Sequence, residues 1–176
     1  MNNDLPNRRS VRLKGYDYSL NGTYFVTICT QDRECLFGEI VNDPVGATRG
    51  SPAHMKLNRI GLIVDNVLNS LPNHHHMELN AYQIMPNHIH FVINLSGGSR
   101  PDVSGGSRPA PTVGNIVGLF KSECTKEIRR ISNNTDLCIW QRNYYEHIVR
   151  DEGDLNRIQE YILNNPINWE RDELFV

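Results

Sequence analysis

Residues 85–95 read MPNHIHFVINL, and the way this stretch alternates decides the fold. In a strand, residues i and i+2 point to the same face. Ile89, Phe91, Ile93 and Leu95 then form one apolar face, while His88, His90, Val92 and Asn94 share the other. Two imidazoles at i and i+2 stand roughly 6–7 Å apart at the backbone. Their rings can converge on one divalent ion, with a third ligand supplied from elsewhere in the fold. The alternative is a pair of histidines hydrogen-bonded at a sheet surface, and H-x-H by itself does not choose between the two.

Working outward, residues 77–85 read as a strand joined to 88–95 around Pro86-Asn87, and TYFVTICT (23–30) as a further strand. ECLFGEIV (34–41) is expected to pair with 23–30. Residues 42–55, with Pro44, Gly46, Gly50 and Pro52, are expected to form a loop. Leu57, Ile60, Val64, Val67, Leu68 and Leu71 fall at helical spacing, so 57–71 is an amphipathic helix that Pro72 should stop.

Val113, Ile116, Val117, Phe120, Cys124, Ile128 and Ile131 make the stripe of a second helix over 113–131. IWQRNYYEHIV (139–149) reads as a fifth strand. Residues 151–165 form a third helix with Leu155, Ile158 and Ile162 as its apolar stripe. SGGSRP occurs at 96–101 and again at 104–109, so about 96–112 is expected to be a flexible Gly/Ser/Pro insert in a single domain spanning 1–176. The order predicts an α+β sandwich, a mainly antiparallel sheet covered by helices, rather than a doubly wound parallel sheet.

The 176 residues suffice for one core, and a balance of 39% hydrophobic to 22% charged residues is that of a soluble domain. No apolar run reaches the roughly 20 residues of a membrane helix. The polar start MNNDLPNRRS lacks an apolar signal core, so a cytoplasmic location is expected. Cys29, Cys35, Cys124 and Cys138 form no C-x-x-C pair, which argues against a zinc ribbon and for small core residues. The formal charge of −2 counts mildly against nucleic-acid binding. Yet Arg8, Arg9, Arg12 and Lys14 cluster near the start, and Lys121, Lys126, Arg129 and Arg130 are expected on the exposed face of the second helix. Either cluster is a candidate DNA track or simply solvated surface. The HHH run at 74–76 and His54 have no evident partners in sequence.

On the third helix Tyr161 and Asn165 lie four residues apart, one above the other, at the flank of the apolar stripe. If that stripe packs on the sheet, Asn165 can offer an oxygen ligand to an ion held by His88 and His90, with the Tyr161 hydroxyl close by. A tyrosine hydroxyl titrates near pH 10 and needs a cation to make it a nucleophile. That pairing suits attack on a phosphodiester. An ordinary helix–sheet contact is the competing account of Tyr161. Trp140, Tyr144 and Tyr145 read as core or base-stacking groups, and His147 as structural.

MPNHIHFVI, GLFKSECTKEI and WQRNYYEHIVRDEGDLNRIQEYILNNP together resemble the REP-associated tyrosine transposases, within the HUH single-strand transposases that use one catalytic tyrosine. NGTYFVTICTQDRECLFGEI is similar to that family's opening hairpin, and the likeness spans about residues 8–170. The resemblance implies a ferredoxin-like fold, His88 and His90 as metal ligands, Asn165 at the third-ligand position, Tyr161 as the nucleophile and Mg²⁺ or Mn²⁺ as the ion. It implies cleavage and rejoining of single-stranded DNA at hairpin sequences through a 5′-phosphotyrosine, by a monomer or homodimer. Glutamine is common at the third position in the insertion-sequence branch, so asparagine points to the REP-associated one. Two departures stand out: the SGGSRP insert, which could alter DNA access, and a C-terminus lacking any longer tail that relatives use for DNA contact or gating. The alternatives are a non-cleaving DNA-binding module of the same fold and a metal-dependent phosphoesterase that uses water.

Overall fold

A computed structural model describes residues 21–42, 53–75, 77–96, 100–101, 107–108 and 112–176. The strands are β1 (Gly22–Cys29), β2 (Gly38–Val41), β3 (His54–Leu57), β4 (Met77–Ile84), β5 (His88–Leu95), β6 (Arg100–Pro101), β7 (Ser107–Arg108) and β8 (Tyr145–Val149). The helices are α1 (Arg59–His74), α2 (Val113–Ser132) and α3 (Glu152–Asn164). The main sheet runs β4-β5-β1-β8, every pairing antiparallel. Setting aside the small two-stranded pairs β2-β3 and β6-β7, the chain is β-α-β-β-α-β followed by a third helix, which is the ferredoxin-like order.

The alternation of β5 is resolved by covering both of its faces. Ile89, Phe91 and Ile93 join Tyr24, Val26 and Ile28 of β1 under the apolar stripes of α1 and α2. On the opposite face Phe25 and Val92 meet Ile158 and Ile162 of α3. The helices begin where sequence would start them. Asn58 caps α1 by accepting from the N–H groups of Ile60 and Gly61, Thr112 caps α2, and Asp151 caps α3 by accepting from Asp154.

Several expectations are corrected. The segment 34–41 does not pair with β1, because β5 and β8 occupy both edges of that strand. The turn Gln31–Arg33, with Asp32 and Arg33 at positive φ, swings the chain out of the sheet, and β2 pairs with β3 instead. The fifth strand is shorter than 139–149. Trp140 bridges Thr30, the chain then leaves the ladder, and pairing resumes at Tyr145. Helix α1 runs through Pro72 to His74, since proline so near the end removes only one hydrogen bond. The small β6-β7 pair, Arg100 with Arg108 and Pro101 with Ser107, falls within 96–112, most of which lies outside the described residues. Of the four cysteines only Cys124 is buried in the core; Cys35 and Cys138 are exposed.

Gly61 lets α1 close against the segment before β2. A Cβ there would come 2.2 Å from the Phe37 carbonyl oxygen, whereas a Cβ on Gly118 of α2 would meet nothing within 4 Å. Alanine normally improves a helix interior by about 1 kcal/mol over glycine. Gly118→Ala is therefore expected to stabilise by about 1 kcal/mol, and Gly61→Ala to destabilise by about 1–3 kcal/mol. Urea unfolding of the two variants checks both signs.

Candidate active site

The four residues singled out from sequence come together on the α3 face of the sheet. His88 and His90 are buried, at 0% and 2% exposure, with ring centroids 4.5 Å apart. Asn165 is buried, and Tyr161 is 45% exposed at the mouth of the site. Tyr161 Oη lies 3.2 Å from His90 Nε2. The i, i+4 spacing on α3 brings Tyr161 and Asn165 to the same end of β5.

Neighbours fix how each imidazole faces. Asn87 Oδ1 accepts from His88 Nδ1 at 2.8 Å, which leaves the Nε2 lone pair of His88 free to point inward. Thr27 Oγ1 occupies His90 Nδ1 at 2.8 Å, so His90 Nε2 faces Tyr161. Phe25 stacks on the His90 ring at 5.4 Å, and Trp169 covers His88 at 5.9 Å.

Asp172, which the sequence reading missed, completes the cluster. Its Oδ2 accepts from Asn165 Nδ2 at 2.8 Å and from Tyr161 Oη at 3.5 Å. The first bond turns Asn165 Oδ1 inward. Among the described residues, the buried side-chain atoms without a hydrogen-bond partner include Trp140 Nε1 in the core and, at this site, His88 Nε2 and Asn165 Oδ1. Burying polar atoms without partners is costly, so this pair fits an unfilled ligand set. The ligand atoms of His88, His90 and Asp172 all lie within 4.8 Å of one another. Two imidazole nitrogens with oxygen donors suit a divalent ion.

Asp172 is carried by the segment after α3. Its Oδ1 accepts from Leu174 N–H, and the Leu174 carbonyl accepts from Asn87 Nδ2 at 2.8 Å. Arg33 donates to the Glu173 carbonyl at 3.2 Å. Residues 172–174 thus close over the histidine end of the sheet, a contact with no sign in the sequence.

Burial sets the proton affinities. It pushes His88 down to about 4, against a smaller upward pull from Asp172. Burial and the neighbouring His88 hold His90 well below the ordinary imidazole value. Burial, then the Asp172 charge, raises the Tyr161 hydroxyl to about 12. Near neutral pH the site therefore holds two neutral imidazoles beside a protonated phenol.

An open cleft of about 930 Å³ leads away from Tyr161, past Phe25, to Tyr145. The basic residues of α2 do not line it as a free track. Lys121, expected on the exposed face, turns inward and donates to the carbonyls of Gln141 at 2.7 Å and Asn143 at 2.9 Å. Burial lowers it to about 8. Arg129 likewise donates to the Leu137 carbonyl. Lys126 and Arg130 stay exposed, paired with Glu123 and Glu127. Arg8, Arg9, Arg12 and Lys14 lie outside the described residues. Of the aromatics, Trp140 packs in the core, Tyr144 donates to Glu146, and Tyr145 is 50% exposed. His147 meets Asp154 at 2.8 Å.

The family model of the IS200-like transposases matches residues 21–165. The chain belongs to this family. An uncharacterized protein of Haemophilus influenzae is 39% identical to this family member over 99% of the chain and 97% of its own length. A second Haemophilus influenzae protein, provisionally named a REP-associated tyrosine transposase, is 26% identical over 86% of the chain and 73% of its own. Among solved structures, a REP-associated tyrosine transposase bound to a REP hairpin superposes with a TM-score of 0.51 at 17% identity. The superposition covers 90% of this chain and 74% of that one, and it supports the fold assigned to the IS200-like member. No described helix is long and apolar enough to cross a membrane.

The pH dependence of stability follows from the histidines. Their folded affinities lie below the unfolded value of about 6.5, so below that pH the unfolded chain takes up protons first. Stability is full above about pH 6.5 and falls as pH drops toward 4. In chelator-treated buffer the wild type is expected to lose about 2 kcal/mol from His88 alone between pH 7 and pH 4.5, with His90 adding to the loss. His88→Gln is expected to flatten that slope. Urea unfolding at the two pH values measures it, and equal slopes would remove His88 as the cause.

Proposed function

We propose that this family member is a metal-dependent single-stranded DNA transposase that cleaves and rejoins DNA at REP-like hairpins through a 5′-phosphotyrosine on Tyr161. The observation that carries the reading is the 3.2 Å approach of the Tyr161 hydroxyl to His90, beside the unpartnered His88 Nε2 and Asn165 Oδ1. A phosphoesterase using water would not need a phenol there. The hairpin substrate draws further support from the neighbour described as bound to a REP hairpin.

His88, His90 and Asn165 would hold Mg²⁺ or Mn²⁺, which when bound supplies Lewis-acid polarisation of a phosphate oxygen and favours the tyrosinate. The protein's own part is positioning. The stacked Phe25 and the Thr27 bond keep His90 fixed, and packing of Ile158 and Ile162 keeps α3 fixed, so Tyr161 approaches from a set direction. Tyr161 Oη forms a bond to phosphorus as the bond from phosphorus to the 3′ oxygen breaks. The phenolic proton passes toward Asp172 Oδ2, and the leaving 3′ oxygen takes a proton from solvent in the open cleft to depart as a 3′-hydroxyl. Rejoining is the same step in reverse: a 3′-hydroxyl attacks the phosphotyrosine and Tyr161 leaves. Two transesterifications conserve the bond energy, so no external energy source is required.

Tyr161→Phe is the direct test, with a panel of labelled single-stranded hairpins as substrate. The variant keeps its ring and is expected to bind DNA with stability little changed. It is expected to lose cleavage and the denaturant-resistant adduct, which in wild type carries label from the 3′ side of the break. Tyr144→Phe is the control and keeps both. Cleavage by Tyr161→Phe at the wild-type rate would assign the nucleophile to water.

A further inference from the structure

The cleft beside Tyr161 contains a second exposed tyrosine that the cleavage chemistry leaves unused. Tyr145 opens β8, the edge strand, opposite Thr27 in the register, so it lies on the same sheet face as the histidines. It is 50% exposed. The Phe25 ring lies between the two tyrosines, 6.2 Å from Tyr161 and 6.3 Å from Tyr145, both edge-on. Tyr145 and the nucleophile therefore share Phe25 as a neighbour, a separation that an adjacent nucleotide can span.

Side-chain amides line this cleft, together with Arg157, Glu160 and Arg171. Gln141 and Asn143 line the cleft with Tyr145, and Asn164 and Asn168 line it from the α3 side. The backbone of the first pair is held in place. Lys121 donates to both of their carbonyls, and the Gln141 N–H donates to the Cys29 carbonyl at 3.0 Å. This accounts for the chain leaving the sheet between Trp140 and Tyr145: its carbonyls bond a half-buried ammonium rather than a strand. A side-chain amide both donates and accepts, which matches the edge of an unpaired base, while an exposed aromatic face accepts any base by stacking.

We propose that Tyr145 is the stacking platform for an unpaired nucleobase adjacent to the scissile phosphate, and that Gln141 and Asn143 read the edge of that base. Lys121 is a positioning residue for this wall. The inference rests on the reading of the site as a single-stranded DNA transposase, and it adds a base subsite to it.

The test uses the full chain carrying Tyr161→Phe, so that the strand is bound without being cut. The probe is the same panel of single-stranded hairpins with 5-iodo-2′-deoxyuridine in the unpaired flanks, which cross-links to a stacked aromatic ring on irradiation. Peptide mass spectrometry is expected to find the adduct on Tyr145. Adding Tyr145→Ala is expected to remove that adduct and to weaken retention of the strand roughly tenfold, whereas Tyr145→Trp restores binding. Thermal unfolding of each variant keeps loss of folding apart from loss of stacking. If the strand is retained but cross-links elsewhere, with Tyr145→Ala binding as well as its parent, the subsite is overturned and the transposase reading stands. If no single strand is retained at all, both fall.

Discussion

Two imidazoles are held in a dry environment because β5 is covered on both faces, and the site depends on that burial. A half-exposed strand would leave His88 and His90 in water, protonating freely near neutrality. With α3 over one face and α1 and α2 under the other, the charged forms are penalised and the rings stay neutral. Asn87 and Thr27 then settle which nitrogen of each ring is left facing the centre. The cost of desolvation is thereby tied to a directed pair of lone pairs, the property a cation ligand requires.

Much of this was legible in the sequence because it follows from two short periods. The period of two in HIHFVINL assigned the histidines to one face and the core to the other. The spacing of Tyr161 and Asn165 on α3, beside an apolar stripe, placed them over that face. The antiparallel α+β layout followed from element order. What was not legible came from contacts between distant segments. Asp172 lies beyond the last periodic element, and only the bond from Asn165 and the chain's return along Asn87 give it meaning. The pairing of β2 with β3 depended on β1 having both edges taken, a fact of topology rather than of local pattern. Lys121 read as surface because charge and helical phase suggest it, yet a long side chain can turn its ammonium onto nearby carbonyls.

Membership of the IS200-like transposase family agrees with this division. The family match covers residues 21–165, from β1 to Asn165, and so includes every residue singled out from sequence as ligand or nucleophile. Asp172, Trp169 and the Leu174 carbonyl, which close the histidine end, lie after it. The shared fold accounts for where the histidines and the tyrosine stand. The segment beyond it tunes their surroundings, orienting Asn165 and raising the proton affinity of Tyr161.

The central claim is that His88, His90 and Asn165 act together as one ligand set, and Mn²⁺ binding tests it most directly. Electron paramagnetic resonance on the chelator-treated protein should show one bound Mn²⁺ per chain in the wild type. Thermal unfolding should show a matching rise in midpoint with Mn²⁺ concentration. His90→Ala and Asn165→Ala should bind the ion at least tenfold more weakly while remaining folded, and His147→Ala should match the wild type. Undiminished binding of Mn²⁺ by folded His90→Ala would contradict the account.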